Sequence, residues 1–345
     1  MEGAEFRYAC TVTSRLPRVE GYDIVAGPPE PLARATELIS IVETSIDGKS
    51  DITDSILTMM INSPGIDAHI DTITVREPGS GKVVAFGCYL NTEPHIESVT
   101  LGWVHPAHMN KGIGTAIVTW GLDRSRSMIP LTPPEARVTN RCQISDGNVA
   151  AAMLLSALGY TIDRHELEME LVLGEQITVT DLPGGVTVRT MTCDEDLEIV
   201  AGVITSAFRD HYGWVDSSPE AVRQRWVNYR TMDEWDDDLV WIAETDDGAV
   251  GCLVAMASYG GNAQAGYVGS LGVLREWRGR GLARALLTGA FAEYQRRGKL
   301  SVALHVDADS LTGATRLYES VGMHRVQAGT AYLIELRPGT DLVKR

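Results

Sequence analysis

Apolar residues recur along this chain in two rhythms. One is a short alternation of about two residues; the other returns every three or four. In GYVGSLGV, Val268, Leu271 and Val273 predict a strand, and after a basic, glycine-rich turn Leu282, Leu286, Gly289 and Ala290 predict a helix. VALHV, Val302 to Val306, predicts another strand, and TGATRLYESVGM predicts a helix over Thr312 to Met323 that stops at Gly322. Upstream, Leu197, Val200, Ile204 and Phe208 fall on one side of a helix over Asp194 to Phe208. LVWIAET and AVGCLVAMASY predict a hairpin turning at Asp246-Asp247-Gly248.

The same order of elements occurs twice. VTLGWVHPAHMNKGIGTAIV sets Gly112 against Gly281, and AAAMLLSALGY sets Gly159 against Gly322. The two offsets are 169 and 163 residues, and the insertion IPLTPPEA accounts for the difference. A strand in YDIVAG, a helix over Pro31 to Thr44 and the hairpin DTITVRE/KVVAFGCYL complete the first copy. Each copy closes with an apolar strand, LEMELVL and AYLIEL. A tandem duplication is the reading. The polar, glycine-rich stretch GEQITVTDLPGG is the linker, dividing the chain into residues 1–175 and 176–345.

The turn Arg278-Gly279-Arg280-Gly281-Leu282-Ala283 carries candidate chemistry. A turn running into a helix N-terminus aims free backbone N–H groups and the positive end of the helix dipole one way, which suits an anion. Glycine lets a phosphate come close, and Arg278 and Arg280 add charge. The turn is neither a Walker loop nor a dinucleotide fingerprint.

The turn R-x-x-G-x-A, the following strand and A-x-x-L-Y-x-x-x-G resemble, in that order, the GNAT superfamily of CoA-dependent N-acyltransferases. The resemblance covers roughly Thr187 to Leu336. The tandem layout is similar to mycothiol-synthase-like and antibiotic-modifying bidomain members. It implies an α/β fold of the α+β type: two GNAT-like domains, each a mixed, mostly antiparallel twisted sheet flanked by helices. It implies acyl, most simply acetyl, transfer from CoA to the primary amine of a small molecule by direct attack in a ternary complex. Acetyl-CoA or another acyl-CoA would be the co-substrate, with no metal.

The resemblance assigns the diphosphate to Arg278, Gly279, Arg280, Gly281, Leu282 and Ala283. It assigns the pantetheine arm and acyl carbonyl to the main chain of Leu271, Gly272 and Val273. Tyr318 becomes the general acid for the departing thiolate. His305 and His211 are both candidates for the base, as is a water chain, and Tyr212 and Trp214 are candidate acceptor contacts. Relatives carry an asparagine where this chain has Leu311. The first half has Met109 and Asn110 for Arg278 and Gly279, and Leu155 for Tyr318, so the resemblance implies one catalytic half, the second. A CoA-binding sensor and a protein N-acetyltransferase are the rival readings; Tyr318 speaks against the first.

Composition narrows the partners. The 345 residues are 44% hydrophobic and carry a net charge of −16, which disfavours nucleic acid and suits a cationic acceptor. The acidic run Asp233, Glu234, Asp236, Asp237 and Asp238 around Trp235 reads as a solvated loop, with attraction of a cationic acceptor as the alternative. Five scattered cysteines, among them Cys10, form no C-x-x-C pair and indicate neither a disulfide framework nor zinc. No apolar run approaches the roughly 20 residues of a membrane span, and the N-terminus lacks signal-peptide character. A cytoplasmic monomer or homodimer is the expectation.

Overall fold

The computed structural model describes residues 15–174, 177–308 and 313–344. Cys10, Thr312, Leu311 and the linker's Glu175 and Gln176 lie outside them. The first half runs β1 (Asp23–Ala26), α1 (Ala33–Asp47), α2 (Asp54–Ile61), α3 (Ala68–Asp71), β2 (Thr72–Arg76), β3 (Val83–Leu90), β4 (Glu97–Val104), α4 (Ile113–Met128), β5 (Val138–Ser145), α5 (Val149–Ala157) and β6 (Thr161–Val172). The second runs β7 (Thr187–Thr190), α6 (Asp194–Phe208), α7 (Pro219–Tyr229), β8 (Trp235–Thr245), β9 (Gly248–Met256), β10 (Ala265–Val273), α8 (Leu282–Arg296), β11 (Ser301–Asp307), α9 (Ala314–Ser320) and β12 (His324–Arg337). The duplicated order is therefore present element by element, with α3 as an extra in the first half.

Local chemistry sets the helix ends. Thr53 caps α2 by accepting from the Ile56 N–H, and Ser218 caps α7 with Pro219 just inside. Helix α1 stops at Gly48 in the left-handed conformation. The buried faces follow the helical period, with Ala35, Leu38, Ile39 and Val42 on α1 and Leu282, Leu286, Ala290 and Tyr294 among those on α8.

The mixed, mostly antiparallel sheets expected of the two halves are present and join edge to edge. All twelve strands form one sheet in the order β1-β2-β3-β4-β5-β12-β6-β11-β10-β9-β8-β7. The last strand of each half lies beside the other half: β6 pairs antiparallel with β11, β12 pairs antiparallel with β5, and β6 and β12 pair with each other. Alternating apolar residues identify β6 and β12 as strands, but a main-chain ladder accepts any partner of suitable length. Pattern alone does not choose between a local and an exchanged neighbour.

Helix packing adds a second union. Ile56 and Met59 of α2 pack on the core formed by α6, α7, β8 and β9. The Asn228 side chain of α7 donates to the Met59 carbonyl at 3.0 Å. No helix among the described residues is long and apolar enough to cross a membrane.

Candidate active site

The site opens where β10 and β11 part. They pair in parallel only from Ala265–Ser301 to Tyr267–Ala303. Beyond that point β10 continues along β9 while β11 stays with β6, leaving a wedge. A cleft of about 520 Å³ fills it, lined by Leu271, Val273, Arg278, Gly279, Gly281, Leu282 and Ala283, with His211, Tyr212, His305 and Tyr318. Residues nominated from distant parts of the sequence thus meet in one cavity. Gly272 turns the other way: a Cβ there would stand 2.9 Å from Ile204 and 3.2 Å from Ala207, so it serves the close approach of α6 to β10. Of the cleft's main chain, β10 past Tyr267 has no partner on the β11 side, so alternate amides face the wedge.

Strand β10 also carries a bulge. Val268 pairs with Ala255 and Ser270 with Val254, leaving Gly269 out of register. Tyr294 of α8 braces the strand just before it. Its hydroxyl lies 2.7 Å from the Met256 carbonyl and 2.9 Å from the Tyr267 carbonyl, and accepts from the Tyr267 N–H at 3.2 Å.

The turn has the geometry of an anion cradle. Gly279 and Gly281 have φ of +73° and +86°, a region closed to most side chains. Gly281 caps α8 without a side-chain hydrogen bond. The backbone N–H groups of residues 279–284 meet no protein acceptor among the described residues. They converge at the N-terminus of a helix 15 residues long.

The arginines behave differently from expectation. Arg278 is not a free charge over the turn. Its guanidinium pairs with Asp210 at 2.7 and 3.0 Å and donates to the Ala207 carbonyl at 2.6 Å, fastening the turn to the end of α6. This pair holds the Asp210 carboxyl down at about 2. Arg280 stacks on the Trp277 ring at 4.6 Å and is not among the residues lining the cleft. Arg278 and Arg284 are the arginines lining the cleft among the described residues, and Arg278 shares its charge with Asp210.

Tyr318 is half-buried, its hydroxyl has no partner among the described residues, and burial pushes the phenol up to about 12. It stays protonated at neutral pH. His211 is half-buried against Phe208, with ring centroids 4.5 Å apart, and burial lowers its pKa from the ordinary 6.5. His305 is exposed, and its Nδ1 lies 3.1 Å from the Tyr267 hydroxyl. The Tyr212 hydroxyl donates to Asp163 at 2.6 Å, and the Arg164 guanidinium lies 3.8 Å from the Tyr212 ring centre. Trp214 donates its indole N–H to Asp216 at 3.0 Å and lines a neighbouring pocket rather than the cleft. The loop bearing both aromatics is held by the C-terminal tail. Gly213 donates to the Lys344 carbonyl at 2.7 Å, and the Lys344 N–H returns to Trp214 at 3.0 Å.

That neighbouring pocket, of about 550 Å³, shares Phe208, His211, Tyr212, Gly269 and Ser270 with the cleft. Its walls include Trp226, Tyr229, Tyr259 and Tyr267, with Ile56 and Met59 from the first half. The acidic run is not a free loop. Asp236 and Asp237 pair with Arg297 and Arg230, and Glu234 is buried in the pocket wall. Gly269 and Tyr259 escaped the sequence reading, and Glu234 entered it only as one member of the acidic run. Glu234 had one signal, its place between Met232 and Trp235, both of which pack into the core. No cluster of metal-ligating side chains occurs among the described residues.

Known proteins are similar to this chain over most of its length. Residues 201–323 match the acetyltransferase (GNAT) family. A mycothiol acetyltransferase of Frankia casuarinae is 30% identical over 298 residues, covering 81% of this chain and 80% of the relative. A mycothiol acetyltransferase of Pseudarthrobacter chlorophenolicus is 26% identical, covering 86% and 90%. Among solved structures, a GCN5-related N-acetyltransferase from Sphaerobacter thermophilus aligns with a TM-score of 0.75 at 30% identity, over 95% of this chain and 99% of that one. A tandem GNAT protein from the clavulanic acid biosynthesis pathway aligns with a TM-score of 0.69 over 92% and 100%; at 16% identity it speaks to the fold alone.

Proposed function

Because this chain belongs to the GNAT family of acetyltransferases, we propose that its second half moves an acetyl group from CoA to the primary amine of a small molecule, by direct attack in a ternary complex. One observation carries the reading: the bulge at Gly269 and Ser270 lies where the cleft and the apolar pocket meet. A thioester reaching along β10 from the cradle at residues 279–284 would arrive at the same wall as an amine held in the pocket.

The roles follow from the groups present. Main-chain amides released at the bulge would receive the carbonyl oxygen as it becomes an oxyanion. The neutral imidazole of His211 suits removal of the amine proton, directly or through water. As the carbon–nitrogen bond forms and the carbon–sulfur bond breaks, the protonated Tyr318 can supply the proton that the thiolate takes up. His305, tied to the Tyr267 hydroxyl, is the weaker candidate for base.

Cysteine placement favours direct transfer over an acyl-enzyme. Cys88, Cys142 and Cys252 are buried, with thiols pushed up to about 12, and no cysteine among the described residues lines the cleft. The pocket is walled on one side by α2 of the other half, which suits a small acceptor better than a peptide. The relatives' names put mycothiol chemistry among the candidates. A thiol-release assay with acetyl-CoA, run against amines that include amino sugars, tests the reading. CoA release that requires an amine supports it; release independent of any amine, or none despite bound acetyl-CoA, would leave the sensor reading in place.

A further inference from the structure

The pocket beside the cleft holds a charge that the transfer chemistry does not use. Glu234 is 7% exposed, and it is the one carboxylate among the described residues lining that pocket. Its Oε1 accepts from the Thr53 hydroxyl at 2.8 Å. Its Oε2 is buried and has no hydrogen-bond partner among the described residues. Arg225, also in the lining, is exposed and makes no ion pair with it. A buried carboxylate oxygen left without a partner is costly, and a cation seated in the pocket would remove the cost.

The position of Glu234 says which part of an acceptor it would meet. Its carbonyl accepts from the Ala257 N–H at 2.7 Å, and the adjoining Met256 pairs with Tyr267 and Trp235. Glu234 therefore stands level with Gly266 near the start of β10, three to four residues before the bulge. At roughly 3.3 Å per residue along the strand, and two strand spacings of roughly 4.8 Å across the sheet because β9 lies between, its backbone is about 14–16 Å from the main chain assigned to the thioester. The amine that attacks must lose its proton at the bulge. A carboxylate at the opposite end would instead hold a second group that stays charged. The rings of Trp226, Tyr229, Tyr259 and Tyr267 line the same pocket, and aromatic faces favour a cation.

Resting on the acetyltransfer reading, we propose that the acceptor is a diamine: an apolar spacer carrying one reacting amine and one distal ammonium bound by Glu234. The first half shares in this recognition, since Thr53 orients the carboxylate and Ile56 and Met59 wall the spacer.

Calorimetry on the full chain tests it, with CoA present and no acetyl group to transfer. Cadaverine should bind at least about tenfold more tightly than pentylamine, the scale of one charge-assisted hydrogen bond. Glu234→Gln should abolish the difference. Glu234→Asp keeps the charge but withdraws it by one methylene, so the preferred diamine should become longer by one carbon. Equal binding of the two amines by the wild type, or a preference that survives in Glu234→Gln, overturns the proposal. If Glu234→Gln does not fold, the wild-type comparison and the Asp variant still decide. Titration with CoA alone reports separately: no CoA binding would sink the transfer reading, whereas CoA binding without amine discrimination would sink only the diamine.

Discussion

The two halves of this chain share a backbone and differ in what hangs from it. Gly281 has φ and ψ of 86° and −3°, and its counterpart Gly112 has 81° and −3°. Gly279 is matched by Asn110 at φ +59°; asparagine is among the non-glycine residues best suited to that region. The amides of residues 110–115 are as free of protein acceptors as those of residues 279–284. The first half even has a cleft of comparable size, about 600 Å³. An asparagine, Asn148, stands at the position that aligns in sequence with Leu311, and it caps α5.

What the first half lacks is the machinery around the cradle. Strand β4 pairs with β3 without a break, so there is no bulge to release an amide. The place of Gly269 is taken by Thr100, whose hydroxyl accepts from buried Asn140. Leu155, 2% exposed, replaces Tyr318. Met109, 40% exposed, replaces Arg278 and ties the turn to nothing comparable. A backbone shape can thus persist after the groups that would make it catalytic have gone, because glycine conformations and apolar contacts also serve the fold.

Breaking the chain between its halves should have the largest effect. Residues 176–345 expressed alone lack β6, the neighbour of β11, and β5, the neighbour of β12. We expect insoluble or inactive protein, with activity returning when residues 1–175 are co-expressed. Full steady-state activity in the isolated second half would show that the exchange is dispensable. Next, Tyr318→Phe should lower the turnover rate by ~10²–10⁴ while acetyl-CoA affinity barely moves. The volume-conserving Leu155→Met should leave the rate unchanged, and a Tyr318→Phe enzyme with wild-type turnover would return that ring to a packing role.

A smaller effect is expected at the cradle. Gly281→Val should weaken acetyl-CoA binding at least about tenfold by calorimetry, through crowding of the anion and strain at positive φ. No protein atom lies within 4 Å of a Cβ built there, so any loss beyond backbone strain must come from the ligand. Gly112→Val, in the equivalent conformation, should cost far less turnover; equal losses would erase the contrast between the halves. The smallest effect is one of pH. Burial disfavours the imidazolium of His211, so the neutral base persists below pH 6.5. The acid limb of kcat/KM should therefore fall below that value and disappear in His211→Gln; a limb unmoved by the substitution would pass the base to another group.

How legible the molecule was depended on distance along the chain. The turn at residues 278–283, Tyr318 and the helix of Asp194–Phe208 are local patterns; the helix has the bounds read from sequence, and the turn and Tyr318 line one cleft. The helix read over Thr312 to Met323 is shorter, Ala314–Ser320. Contacts between distant residues could not be read. Arg278 looks like a free charge until Asp210, 68 residues earlier, is placed against it. Glu234 looks solvated until Thr53, 181 residues earlier, closes over it. The bulge at Gly269 depends on the register of a neighbouring strand, which alternation of side chains does not encode.

The exchanged strands also order events in time. The ribosome delivers β12 after the other eleven strands, yet that strand occupies the interior of the sheet, between β5 and β6. The first half leaves the ribosome long before its inner neighbour exists, and β6 waits for β11. The sheet can close only after translation has passed Arg337. Until then the nascent chain carries two unpaired edges, which is the exposure that slows folding of non-local pairings and calls for protection.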